Sequence, residues 1–341
     1  PGTREGLTKV QAEKAMREKI GAVTSAAPIE RKTVRDAGAK MVEIMEVKGR
    51  KRNTIDAAHN ALDVHIEPFF GNKPLEKIDR NMVERFIAAE LDTGSSPKSV
   101  RNFLSALHSA FEVAIDRGWA QSNPVKRAVK PEVGVTTEIR FLSLEEVEAV
   151  LAATPDDERG KVEKTLYLAA AMTGLRQGEL LGLRWGDVDW LAGKVRVRRA
   201  YSHGEYVTPK SRRGVRAVPL ADRLATELEG LSRRSQYSTD ADLVFAHPET
   251  GNPLDGSKVL KRFKAALGRA GVREVRFHDL RHTFGTQMAG AGVPMRTLQE
   301  WMGHRELRTT ENSSQPAAHY WRRLPTHFWT RCSLEKFPKR L

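Results

Sequence analysis

Apolar residues recur at three- and four-residue steps along most of this chain and alternate with polar ones in one short region, so helices should dominate. In residues 31–118, Ile55, Ala58, Leu62 and Ile66 lie on one helical face, and Val83, Phe86 and Ile87 mark a shorter helix. The strongest stripe is Val100, Phe103, Leu104, Leu107, Phe111 and Ala114, predicting a helix over 97–117. Ser96 can cap it, Pro97 suits its first position and Gly118 its end. Residues 1–30 carry only weak helical character around Lys9–Ile20, then a small-residue run and Pro28, as in a lead segment and linker.

A second domain is expected from 141 to 311. Ser143 and Glu146 form a capping box, with Leu142 and Val147 as a hydrophobic staple. A helix over 162–172 breaks at Gly174 and another runs from Gln177 to about Leu183. Val195 and Val197 alternate with Lys194, Arg196 and Arg198, and a return strand, Val215 to Leu220, follows the turn-rich Ser202–Gly214. Helices resume over 220–231 and 257–269, the latter striped by Val259, Leu260, Phe263 and Leu267. Another starts near His278, with Leu280, Phe284 and Met288 four apart, and the last, 294–302, stops at Gly303. The expected architecture is mainly α with a small antiparallel β-sheet: an all-helical domain over 31–120, then an α+β domain. Between them, residues 121–140 read as a linker, because Pro124 and Pro131 oppose regular structure.

Composition narrows the function. Net charge is +14, spread over both halves with an excess in the last thirty residues, which points to polyanionic partners such as double-stranded DNA. The single cysteine, Cys332, leaves no internal disulfide and no multi-cysteine metal site, and fits a reducing cytoplasm. No apolar run approaches the ~20 residues that span a membrane, and no signal peptide is visible. The chain starts at Pro1, not Met, as a fragment would.

Four short elements carry candidate chemistry. Arg176 opens a helix just after a glycine break, where free N–H groups and a guanidinium fork suit phosphate oxygens, and Glu179 one turn on can orient it. A surface Arg–Glu pair is the competing account. His278 and Arg281 share a helix face and can converge on one anion, whereas His282 reads as structural or solvent-facing. Gly303 can turn His304 back after a helix, although a cation capping that helix end has the same pattern. Lys210 lies on the excursion between the β segments, where an ammonium can protonate a leaving oxygen or simply face solvent. Lys98 and Arg101, near the start of helix 97–117, and Lys126, Arg127 and Lys130 in the linker suit either a phosphate backbone or a solvated surface.

Taken together, Thr173–Trp185, Val207–Leu220, His278–Thr286 and Met302–Thr310 resemble the active-site boxes of tyrosine recombinases, the phage-integrase family, over roughly residues 31–311. The resemblance implies a two-domain DNA clamp whose helical core-binding domain grips one face of the duplex. It implies that Arg176 and Arg281 bind the scissile phosphate, supported by Glu179. Lys210 would protonate the 5′-oxygen, His278 would assist proton transfer, and His304 would donate to the phosphate. A tyrosine would attack to give a 3′-phosphotyrosine link, with no metal or cofactor. The family also implies a homotetramer on DNA and a bacterial or phage setting, cytoplasmic and associated with the nucleoid.

One element departs from the pattern. Ser313 stands where the family has its tyrosine, in a Thr309-Thr310 context, and the nearest downstream tyrosine is Tyr320. Two expectations follow: Tyr320 serves from a longer loop, or the atypical basic tail 312–341 leaves a catalytically inactive DNA-binding protein on the same fold. Ser313 itself lacks a dedicated base.

Overall fold

Caps and glycines set most of the helix limits. The computed structural model describes residues 31–134, 140–207 and 215–304, together with Thr310 and isolated positions before residue 17. The chain divides into two units, Pro1–Val135 and Thr136–Leu341.

In the first unit every described element is helical. Helix α1 (Val34–Val47) starts at a Thr33–Asp36 capping box and packs on α5. Helix α2 (Arg52–Asn60) runs without a break into a π-helical stretch, Ala61–Ile66, and then α3 (Glu67–Phe70). The sequence predicts one regular helix here. Pro68 accounts for the difference: it has no N–H for the carbonyl one turn back, so the hydrogen-bond ladder has to be reset before it. Helix α4 (Arg80–Asp92) is capped by Asp79. Helix α5 (Pro97–Asp116) keeps the predicted limits: Ser96 accepts from the Ser99 amide at 3.1 Å, and Gly118 has φ +71°. Its whole predicted stripe is buried, against Ile66, Phe70 and Phe86 among others. Each such side chain contributes about 1.5–3 kcal/mol.

The first part of the stretch expected as a linker is fastened to this unit. Asn123 is buried, donates to the His108 carbonyl (3.0 Å) and Glu112 Oε1 (2.7 Å), and accepts from the Val125 amide (3.1 Å). Val125 and Ala128 join the helical core. Pro124, rather than preventing regular structure, opens a 3-10 turn, Pro124–Lys126, because its fixed φ suits a first helical position.

The second unit begins with α6 (Leu144–Ala152), where the Ser143–Glu146 capping box forms and both staple residues are buried. Helix α7 (Glu158–Thr173) is buried nearly all round, which its Leu- and Ala-rich composition permits, and packs on α9 and α11. Helix α8 (Gln177–Leu181) follows. Strands β1 (Val188–Asp189), β2 (Lys194–Val197) and β5 (Arg216–Pro219) form an antiparallel sheet in the order β1-β2-β5, with Val195 opposite Val218 and Val197 opposite Arg216.

The excursion between β2 and β5 is more regular than its turn-rich composition suggests. Its first part is a hairpin, β3 (Ala200–Ser202) with β4 (Glu205–Val207), closed by His203 and Gly204 at positive φ. Helix α8 packs on it, and a Cβ at Gly178 would stand 2.8 Å from the Tyr201 carbonyl.

Helices α9 (Asp222–Arg234), α10 (Gly256–Arg269), α11 (Asp279–Gly290) and α12 (Met295–Met302) complete the unit. On α10, Val259, Phe263 and Leu267 are buried as predicted, but Leu260 is 43% exposed. It lies one residue, about 100° of helix, beyond the stripe. Among the described residues no helix is long and apolar enough to cross a membrane.

Candidate active site

Three predicted residues are gathered at the end of α12. Gly303 ends that helix in the left-handed conformation (φ 62°). The last carbonyls, which have no partner within the helix, accept from three guanidiniums instead. Arg216 Nε donates to Trp301 O at 2.6 Å, Arg281 Nη2 donates to Met302 O, and Arg176 Nη2 reaches Gly303 O at 3.4 Å.

Arg176 is the N-cap residue of α8. Its amide donates to Glu179 Oε2 at 2.8 Å and its Nη1 to Oε1 at 3.0 Å. The side chain stays 44% exposed, open to a ligand. Arg281 is 2% exposed, at the base of the cluster, with Nη1 donating to Gly174 O at 2.5 Å. Gly174 is glycine for two reasons: its φ is +63°, and a Cβ there would stand 2.5 Å from the Phe284 ring. The glycine that ends α7 thus presents the carbonyl that anchors Arg281.

His304 is buried, with Nδ1 2.9 Å from Thr310 Oγ1. Burial, then the Arg281 and Arg176 charges, lower its pKa to about 3. A ring neutral at pH 7 does not fit the account of His304 as a cation on a helix dipole; it suits a hydrogen-bond donor. His278 directly precedes α11 and is exposed as a residue. Partial burial, then His282 and Arg281, lower its pKa to about 4. His282 meets that ring edge-on, with centroids 5.4 Å apart, and its own Nδ1 is buried without a hydrogen-bond partner.

One member of the cluster is absent from the sequence-based expectations. Arg216 donates from Nη1 to Glu179 Oε1 (2.9 Å) and from Nη2 to Oε2 (2.8 Å). Burial alone would raise the Glu179 pKa; the Arg216 hydrogen bonds and charge, with Arg176, bring it down to about 2. The missed signal was the strand period. Arg216 is in phase with buried Val218, and a charge on the inner face of a strand requires a buried partner.

Three guanidiniums against one carboxylate leave the cluster strongly positive, beside two neutral imidazoles. Such a site can hold an anion and move a proton. Lys210, Ser313 and Tyr320 lie outside the described residues. The DNA-contact candidates belong to the other unit. Lys98 and Arg101 are exposed on the first half of α5, and Arg127 and Lys130 are exposed after the 3-10 turn. Lys126 is exposed too, but its Nζ pairs with Glu112 at 2.8 Å.

The family model for phage integrases matches residues 140–317, past Ser313 and short of Tyr320. The chain is 33% identical to a XerC-like tyrosine recombinase of Caldanaerobacter subterraneus over 258 residues, 67% of this chain. It spans 65% of that relative's length. It is 28% identical to the tyrosine recombinase XerD of Staphylococcus aureus, covering 77% of this chain and 88% of that one. Two solved structures share the fold. An integrase of the Tn1549 transposon, in complex with a circular intermediate DNA, superposes with TM-score 0.69 at 21% identity, covering 83% of this chain and 94% of that one. A lambda integrase, in a tetramer bound to a Holliday junction, also reaches 0.69, at 18% identity, covering 95% and 92%.

Proposed function

The chain belongs to the phage integrase family, the tyrosine recombinases, and on that premise we propose that it is a site-specific DNA recombinase that cuts and rejoins double-stranded DNA. The observation that carries the reading is the gathering of Arg176, Arg281 and His304 on the end of α12, with charge in excess of the single carboxylate.

Arg176, exposed and oriented by Glu179, and Arg281, fixed from Gly174 and Met302, hold the scissile phosphate between them. They offset the charge that builds on its oxygens as it becomes five-coordinate. His304 donates to one of those oxygens. A tyrosine phenol oxygen attacks phosphorus, its proton passing to His278, while the bond to the 5′-oxygen breaks and Lys210 protonates that oxygen. The products are a 3′-phosphotyrosine diester and a free 5′-hydroxyl. The bond energy is retained, so the reverse step rejoins DNA. The helical unit serves as the core-binding half of a clamp on the duplex, with Lys98, Arg101, Lys126, Arg127 and Lys130 on phosphates. Four copies assemble on two recombining duplexes.

Ser313, at the family's tyrosine position, favours a second reading: a DNA-binding protein on the same fold that does not cut. One experiment separates them. Duplexes are selected by binding from a random pool and nicked within the bound region to trap cleavage. The recombinase reading expects a covalent protein–DNA adduct that disappears in Tyr320→Phe. Specific binding with no adduct on any nicked duplex would establish the second reading.

A further inference from the structure

We propose that Arg216 is a positioning residue for phosphoryl transfer, acting through Glu179 and the turn at Gly303 on the two phosphate-contacting groups Arg176 and His304. The inference rests on the recombinase reading above.

The geometry fits this role better than a direct phosphate contact. The Arg216 side chain is only 5% exposed, and Nε, Nη1 and Nη2 each already donate within the protein. Arg176, in contrast, is 44% exposed. Arg216 grips both oxygens of the carboxylate that orients Arg176, and the carbonyl two residues before Gly303. It also lies along Gly303 itself: a Cβ there would come within 3.1 Å of Arg216 Cδ and Nε. The turn that delivers His304 is therefore seated on the Arg216 side chain. One guanidinium therefore joins the two stretches of chain that carry Arg176 and His304. A lysine would keep the charge but not the fork.

The charges facing Glu179 are Arg176 from its own turn, Arg216 from β5 and Arg281 from α11. Without Arg216, the buried carboxyl keeps Arg176 and Arg281 but loses its fork. Its pKa should rise into the range where buried carboxyls titrate, above ~5. Protonated, it no longer orients Arg176.

The test compares wild type, Arg216→Met and Arg216→Lys in the full chain. Adduct formation on the nicked duplex is followed from pH 5 to 9. For Arg216→Met, the rate at pH 7 should fall about 100-fold, the scale of a reacting group misplaced by an ångström. It should also acquire an acid limb between pH 5 and 7 that wild type lacks. Arg216→Lys should lose rate without the limb. Glutamate side-chain carboxyl carbon-13 shifts supply a readout independent of activity, with Glu179 assigned by its loss in Glu179→Gln. Glu179 should titrate below pH 3 in wild type and above pH 5 in Arg216→Met. A rate loss of equal size at every pH, or Glu179 still titrating below pH 3 in Arg216→Met, would overturn the proposal. If wild type forms no adduct, the recombinase reading fails by itself, and the carbon-13 titration still decides whether Arg216 governs Glu179.

Discussion

Replacing Gly174 by alanine adds one methyl group at the point where helix end, core and candidate site meet. The residue sits at φ +63°, and a left-handed backbone costs an L-residue about 1–2 kcal/mol. The new Cβ would also stand 2.5 Å from Phe284 Cδ1, on a ring that is 2% exposed. Overpacking of this kind costs about 1–3 kcal/mol. The sum, about 2–5 kcal/mol, is a large share of the ~5–15 kcal/mol by which domains are stable. Urea unfolding followed by tryptophan fluorescence measures it, with Phe284→Leu and the double variant closing a cycle. The smaller side chain should relieve the clash but not the backbone strain, so the pair should be less destabilised than the two single changes combined, by about 1–2 kcal/mol. Additive losses, or a single-variant loss under about 1 kcal/mol, would refute the packing argument. The same carbonyl accepts from Arg281, so on the proposed recombinase reading adduct formation on the nicked duplex should fall by more than the lost stability explains.

Two further changes probe the scaffold and the DNA contacts. Glu163 is fully buried on α7 between Arg159 Nε (2.9 Å) and Arg262 Nε (2.5 Å), so Glu163→Gln should cost about 3–5 kcal/mol in urea unfolding by leaving two cations partly unpaired; a loss below ~1 kcal/mol would contradict this. Lys98→Ala with Arg101→Ala should weaken binding to all duplexes alike and reduce the slope of log affinity against log salt by about 2, since each phosphate contact contributes about 0.9; an unchanged slope would place both side chains away from DNA.

Much of the helical framework was legible because its signals are local. Ser96, Pro97 and Gly118 delimit α5, and Ser143 with Glu146 starts α6, because a cap and its partner lie within one turn. The π-helical stretch before Pro68 and the β3–β4 hairpin were not legible in that way. The first arises from a missing donor within an otherwise regular apolar period. The second has strands of only three residues each, too short to show an alternation, and its strand β3 packs against α8.

The candidate site divides on the same line. The sequence by itself determined which residue types stand at 176, 179, 278, 281 and 304, and that glycines break the chain at 174 and 303. Only the tertiary structure decided that Arg281 lies buried between the carbonyls of Gly174 and Met302, that Phe284 excludes a side chain from Gly174, and that Arg216 grips Glu179. Those partners are 21 to 110 positions apart. Their meeting depends on how α7, α8, α11, α12 and β5 pack. A periodicity or a cap reports only what happens within a turn or two of chain, and so carries no trace of which distant carbonyl or carboxylate a guanidinium will find.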